Sequence, residues 1–568
     1  MKKIFKSILL IAAVATGMTT FTGCSDDDLS GPDGLFRPII SEDNIEHGLT
    51  ADKIPYMIIK WDNYNTANKY VVTISANDGS DTRTIETSEL KCRFDNLGYD
   101  REYNIDINSA NTTNGLTSKV FSLTTTSLDY PTALKSMQTT DLIDVAARLK
   151  WDFSDDVVYD RIEVIKDETD EIVDEIIFEK DEAGNYTEKA QEMIDAKETI
   201  IRGLEPKTAY RAVAYLGDEY KGKVRFSTVA SESYEGEVVD LRGLDESESY
   251  KWFKRSVTDY TNSIDSVIQA HPDADITFVL EGGTLYKLET LAIPATTGKL
   301  TFVTGLTLAG NAEFDVTGNF TVVAGEKVGG FHFERLNFYG PMPDEGDNNY
   351  GGKYLFNIGN SGAAIGSVTL KDCNIKWKRG VIRIQTSASI ENVDIDGCFC
   401  DSIGGYGIVN ADNANAEINN IKVSNSTFST CQVLFTGTKG KDPKEVSVNH
   451  CTFWRCSADK KYVVDYKGRK VSKFEVKDCL FGPTFGATGL EFYTGDAVPN
   501  VDGLCFTSDV LWRINSEEDP TPKAQVDGTT LSTDAAGTFK DAANDDFTVI
   551  SGDLGGASKP TPGDPRWY

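Results

Sequence analysis

Histidine is scarce in this chain, with four among 568 residues. Paired histidines of the zinc-protease kind are absent, which removes the ligands of that metal chemistry. The glycine pairs Gly351-Gly352 and Gly404-Gly405 lack the strand–loop–helix setting of a phosphate-binding loop and read as turns. The apolar run Ile8 to Val14 is too short to span a bilayer. Positive charge is in deficit: 57 Lys and Arg against 88 Asp and Glu give a net charge of −31, which argues against nucleic acid as a partner. Ten cysteines are present, but their placement does not suggest a disulfide set. Cys24 belongs to a leader, Cys92 stands alone, and most others recur in columns where stacked neighbours point their Cβ atoms the same way, a poor geometry for bridging. Cys431, Cys456 and Cys505 lie off those columns, and a pair among them stays open.

What is abundant is repetition. Val368 onward reads VTLKDCNIKW, Val393 VDIDGCFCDS, Ile421 IKVSNSTFST, Val446 VSVNHCTFWR and Phe474 FEVKDCLFGP. Apolar residues fill places one and three. A polar or Gly residue takes place five (Asp372, Gly397, Asn425, His450, Asp478), a small one place six (Cys373, Cys398, Ser426, Cys451, Cys479), and a large apolar or sulfur residue place eight. Repeats of this length carrying period-2 strands signify a solenoid with one coil per repeat. Coils stacked at strand spacing put like on like, so the sixth-place residues form an inward ladder. Asp, Asn or Gly before it supplies a tight bend, because these residues tolerate left-handed backbone. His450 therefore reads as a turn residue. A second strand follows each motif, beginning at Val381, Tyr406, Gln432, Tyr462 and Leu490. Two or three strands per coil make this a right-handed parallel β-helix.

Charge is unevenly spread. Residues 351–480 hold 18 Lys and Arg against 13 Asp and Glu, while 131–230 hold 14 against 23. The solenoid is the basic part of an acidic protein, which suits an acidic ligand.

The chain opens with Lys2, Lys3 and Lys6, an apolar run, and Phe21-Thr22-Gly23-Cys24. This resembles a bacterial lipoprotein signal (1–23), with Cys24 as the lipidated residue and Phe21 where Leu is usual. Ser25-Asp26-Asp27-Asp28, within a tether at 24–36, resembles the acidic export tag of Bacteroidetes surface lipoproteins. Residues 37–128 alternate in short strands, with Trp61, Tyr70, and Leu97-Gly98 followed by Tyr103. Residues 129–230 repeat the scheme with Trp151 and Gly203-Leu204-Glu205-Pro206-Lys207-Thr208-Ala209-Tyr210. Both resemble fibronectin type III domains with a tyrosine corner. From Ser247 to Ala270 the period turns helical (Val257, Tyr260, Ile264, Val267, Ile268), as expected of a cap over the first coil's open apolar end. The coils opening at Ile276 and Lys299 resemble the pectate-lyase-like superfamily, and the solenoid domain is set at 231–568. The expected class is all-β: two sandwiches, then a β-helix with an N-terminal capping helix.

Taken together, the chain resembles Bacteroidetes surface lipoproteins of polysaccharide-utilisation systems. That resemblance implies a lipid-anchored protein on the outer membrane, an acidic, pectin-like polysaccharide as partner, and neighbouring glycan-uptake proteins beside it. Glycan-binding candidates are Trp377, Lys378, Arg383, Trp454, Arg455 and Tyr466, aromatic platforms beside cations. The alternative is a polysaccharide lyase acting by β-elimination, with Arg379, Arg383 or Lys461 as catalytic candidates and Ca²⁺ as cofactor. No run of Asp at coil spacing builds a calcium cage, and the Asp-Asp and Gly-His-Gly constellations of polygalacturonase relatives are missing, so no cofactor or metal site is assigned. A structural or adhesive surface protein is the third reading.

Overall fold

The computed structural model describes residues 34–568, apart from 64–65, 154–158, 245–251, 254–263, 345, 348–349 and 351–352. Cys24, the leader, Val257 and Tyr260 lie outside the described residues.

The first sandwich sets a three-stranded sheet (Ile45–Leu49, Pro55–Lys60, Lys91–Phe94) against one built on Thr82–Thr87, Lys69–Ala76, Glu102–Asn111 and Phe121–Thr126. The second repeats this with Ala146–Lys150 and Glu198–Arg202 against Ile172–Ile177, Arg161–Lys166, Ala209–Leu216 and Glu219–Ser227. Strand alternation explains the layering: in Lys69–Ala76 every second side chain is buried. Both tyrosine corners are formed. Tyr103 Oη accepts from the Gly98 N–H at 3.0 Å, and Tyr210 Oη from the Glu205 N–H at 2.9 Å. A helix the sequence reading did not anticipate, Glu188–Ala196, is capped by Thr187 and ends at left-handed Lys197.

The rest is a parallel β-helix of three sheets. The first runs through ten strands from Glu237–Asp240 to Asn500–Asp502, and it contains the strands that open each repeat motif. The second, also ten-stranded, contains Asn374–Lys378, Phe399–Ile403, Thr427–Ser429 and Thr452–Trp454. The third has eight, among them Tyr354–Ile358, Gly380–Ile384, Val409–Ala411, Phe435–Thr436 and Tyr462–Asp465. The bend between first and second sheets is the expected left-handed residue on each of the five repeat coils: Asp372, Gly397, Asn425, His450 and Asp478 have φ between 48° and 63°. The ladder residues Cys373, Cys398, Ser426, Cys451 and Cys479 are fully buried, and all nine described cysteines are free thiols. Eighth-place aromatics stack from coil to coil: Phe428, Phe453 and Phe481 have centroids 5.2 and 4.7 Å apart and planes within 14°. At the N-terminal end, Phe253 packs edge-on against Phe314, and Ile264 and Ile268 of the helix Ile264–Ala270 are buried in the same cluster, as a cap requires.

The chain then folds back. Phe539, Phe547 and Trp567 cover an outer face of the second sheet, against Phe399, Trp454 and Leu480. Fully buried Asp564 accepts from Thr427 Oγ1 at 2.7 Å and is ion-paired with Arg566, whose Nη2 donates to the Cys398 carbonyl at 2.9 Å.

Phe453→Ala removes the middle ring of the stack and should cost about 3–5 kcal/mol. Chemical denaturation measures it, and a loss below about 1 kcal/mol would show the stack is not core.

Candidate functional site

The third sheet carries an outward column of polar residues. Strand pairing aligns Asn357 with Arg383, Arg383 with Asn410, Asn410 with Thr436, and Thr436 with Asp465. Arg383 and Asp465 thus share one column, three rungs apart, a relation the unequal loops hide in the sequence. Parity explains the placement: in Gly380–Ile384 the neighbours Ile382 and Ile384 are buried, so Arg383 must point out.

Arg383 is held from several sides. Its Nη2 and Nε lie 2.5 and 3.0 Å from Asp412 Oδ2, and its Nη1 donates to Gln385 Oε1 at 2.7 Å and Tyr354 Oη at 3.2 Å. Lys439 Nζ reaches the other Asp412 oxygen at 2.7 Å. Burial raises the Asp412 pKa, but the bonds from Lys439 and Arg383 outweigh it and hold the carboxyl below its ordinary range. Asp465 goes the other way, because burial lifts it with only weak compensation.

Tyr406, from the next coil, gathers two guanidinium groups. Arg383 lies 4.3 Å and Arg379 4.7 Å from its ring centroid, and Tyr354 meets it edge-on at 5.6 Å. Gly380 makes this approach feasible, since a Cβ there would sit 3.0 Å from Tyr406 Cβ and 3.1 Å from Tyr354 Cδ1. Arg379 is exposed and, among the described residues, has no carboxylate within 4.0 Å, so its N–H donors face solvent. A guanidinium oriented by a ring but free of an acid is suited to binding a carboxylate from outside.

The other candidates are distributed differently. Lys461 is exposed at the corner between second and third sheets, three rungs along from Arg379. Arg455 is exposed, 5.5 Å from the Trp454 ring. Lys378 requires correction: it has no exposure, and its ammonium donates to the Tyr339 carbonyl at 3.0 Å. Left-handed Trp377 (φ 57°) interrupts the alternation, and Lys378 pairs with the core residue Ile403. Tyr466, 2 % exposed, packs on Phe474 inside the core and offers no outer surface. The expected tryptophan platform is also corrected. Trp454 lies beneath the folded-back tail, 6.0 Å from Phe547, and Trp377 is half-buried against Tyr339. The sequence reading missed Tyr354, Asp412 and Lys439; the outward parity of Arg383 was the signal that leads to them.

Among the described residues three cavities lie elsewhere: one of about 270 Å³ between the second sandwich and the β-helix, a groove of about 740 Å³ where the third sheet turns into the first, and one of about 330 Å³ between Tyr234 and Arg335. None contains these residues. Among the described residues, no three His, Cys, Asp or Glu side chains converge as a metal-binding group.

The fold and this face define a class: a parallel β-helix carried on two fibronectin type III-like sandwiches. Residues 286–431 match a family described as a domain of unknown function, DUF4957. Comparison with curated proteins gave no match. Among solved structures, a two-domain fibronectin type III segment of chicken tenascin is 13 % identical, covering 34 % of this chain and all of that one, with a TM-score of 0.16. Chicken CNTN1 FN1–FN3 is 13 % identical, covering 34 % of this chain and 66 % of that one, with a TM-score of 0.15. The sandwich assignment rests on the strand pairing above.

Burial lowers Lys378 from 10.5 to about 7. Below pH 7 both states hold the proton and the full penalty of enclosing an ammonium is present; from 7 to 10.5 the unfolded state binds one more proton, so stability rises with pH. Lys378→Met should therefore stabilise the protein most near pH 6, with the advantage shrinking by about pH 10 in denaturant titrations. An advantage constant with pH would contradict the enclosure of a charged amine.

Proposed function

We propose that this protein binds an acidic, pectin-like polysaccharide along the third sheet of its β-helix, with Arg379, Arg383 and Tyr406 as the anchor. The observation that carries this reading is the ring of Tyr406 orienting two guanidiniums, one of them without an acidic partner among the described residues. The local excess of Lys and Arg between residues 351 and 480 in an otherwise acidic chain supports it. In this reading the sandwiches are spacers, and the leader with Cys24 and Asp26 to Asp28 anchors the protein by lipid at the outer surface of an outer membrane, beside other glycan-uptake proteins.

The lyase alternative needs a base with a lowered pKa in reach of substrate. Lys378 has the lowered pKa but is enclosed, whereas Arg379 and Lys461 are exposed.

Affinity electrophoresis through polygalacturonate tests the proposal. The protein should be retarded, and Arg379→Ala should weaken retention roughly tenfold, equivalent to about 1.4 kcal/mol, while Trp454→Phe leaves it unchanged. Unretarded migration of the unmodified protein refutes binding, and growth of unsaturated-uronate absorbance in the same mixture would replace the binder with a lyase.

A further inference from the structure

The corner turns between the second and third sheets are stacked as regularly as the strands. The Arg379 N–H donates to the Lys353 carbonyl, Tyr406 to Arg379, Gln432 to Ile403, and Ala458 to Gln432. These bonds fix four consecutive rungs above Lys353: Arg379, then Gly404 to Tyr406, then Gln432, then Ala458 to Lys461.

Charge along this line is discontinuous. Lys353 and Arg379 form one pole. The next two rungs, Gly404 to Gly407 and Thr430 to Leu434, contain no charged side chain. On the following rung Lys460 and Lys461 are exposed, and among the described residues neither has a carboxylate within 4.0 Å; the acid of that turn, Asp459, is engaged with Thr488. At strand spacing the two poles are about 14 Å apart. A uniformly charged ligand laid along the line would pass beyond the Tyr406 ring, which carries the Arg379 and Arg383 guanidiniums, and place carboxylates over the Thr430 to Leu434 rung, which has no charged side chain and leaves their desolvation uncompensated.

We propose that the site reads the spacing of acidic groups: it is satisfied by a glycan whose carboxylates are separated by about three rungs, with uncharged sugars between, and gains nothing from acid at every residue. This rests on the binding reading above and specifies its ligand. Gly407 lies low between the poles: a Cβ there would be 2.7 Å from the Leu434 carbonyl oxygen, so that position rises no higher than backbone. Sugar hydroxyls can exchange hydrogen bonds with such a floor without leaving a charge unpaired.

Partly methyl-esterified polygalacturonate tests this on a constant backbone. The full-length protein is titrated at fixed ionic strength with fully de-esterified polymer and with polymer esterified at about two carboxylates in three, the density that leaves one acid per three-rung interval. The expected result is that esterification leaves Kd within threefold or tightens it, and that Arg379→Ala and the Lys460→Ala, Lys461→Ala double variant each weaken binding of the esterified polymer about tenfold. A loss of more than tenfold on esterification would show that the site responds to charge density, overturning the spacing proposal while leaving the binding reading intact. Failure of both polymers to bind would overturn both.

Discussion

The constraint on which everything else depends is the left-handed residue that ends seven of the ten first-sheet strands. Arg335, Asp372, Gly397, Asn425, His450, Asp478 and Gly503 all have φ between 48° and 64°. Because these coils bend at the same place, the residue after the bend points inward, and parallel strands can hydrogen-bond to both neighbours without slipping. The cysteine ladder and the phenylalanine stacks follow from that fixed geometry. Arg335 and His450 tolerate a conformation costly for most side chains because the surrounding ladders determine it.

The same regularity turns a list of residues into a face. Arg383, Asn410, Thr436 and Asp465 lie on strands separated by loops of different length, yet pairing places them on one line. Function is thereby separated from scaffold: inward columns hold the coil, while outward columns and corner turns are free to vary. Of the outward surfaces, part of the second sheet is taken up by the tail and its aromatic cluster. The third sheet keeps its cations accessible at the corner, where Arg379 and Lys461 stand.

Much of the architecture was legible in the sequence, because period-2 strands and a recurring turn column are local signals. Both tyrosine corners, the bend residues and the packing of Ile264 and Ile268 in the cap could be read directly. The site was only half legible. Arg379 and Arg383 stood out as candidate cations, but Tyr406, Asp412 and Lys439 reach them through turns whose lengths fix no spacing. Lys378 and Trp454 misled for opposite reasons. A left-handed residue at Trp377 reversed the parity of Lys378, a change the pattern does not reveal, and Trp454 has the expected outward parity but is covered by Phe547, about ninety residues later. Long-range covering of this kind leaves little trace in a local period.

On the proposed binding reading, the third sheet and its leading corner, not the tryptophans of the second sheet, form the ligand face. Hydrogen exchange with and without saturating polygalacturonate tests it most directly, because amide protection maps to rungs. New protection is expected in the turns at 404–408 and 457–461, with none added at Trp454 or in the tail at 539–567. Protection concentrated on the second sheet and tail, with the corner turns unchanged, would contradict it.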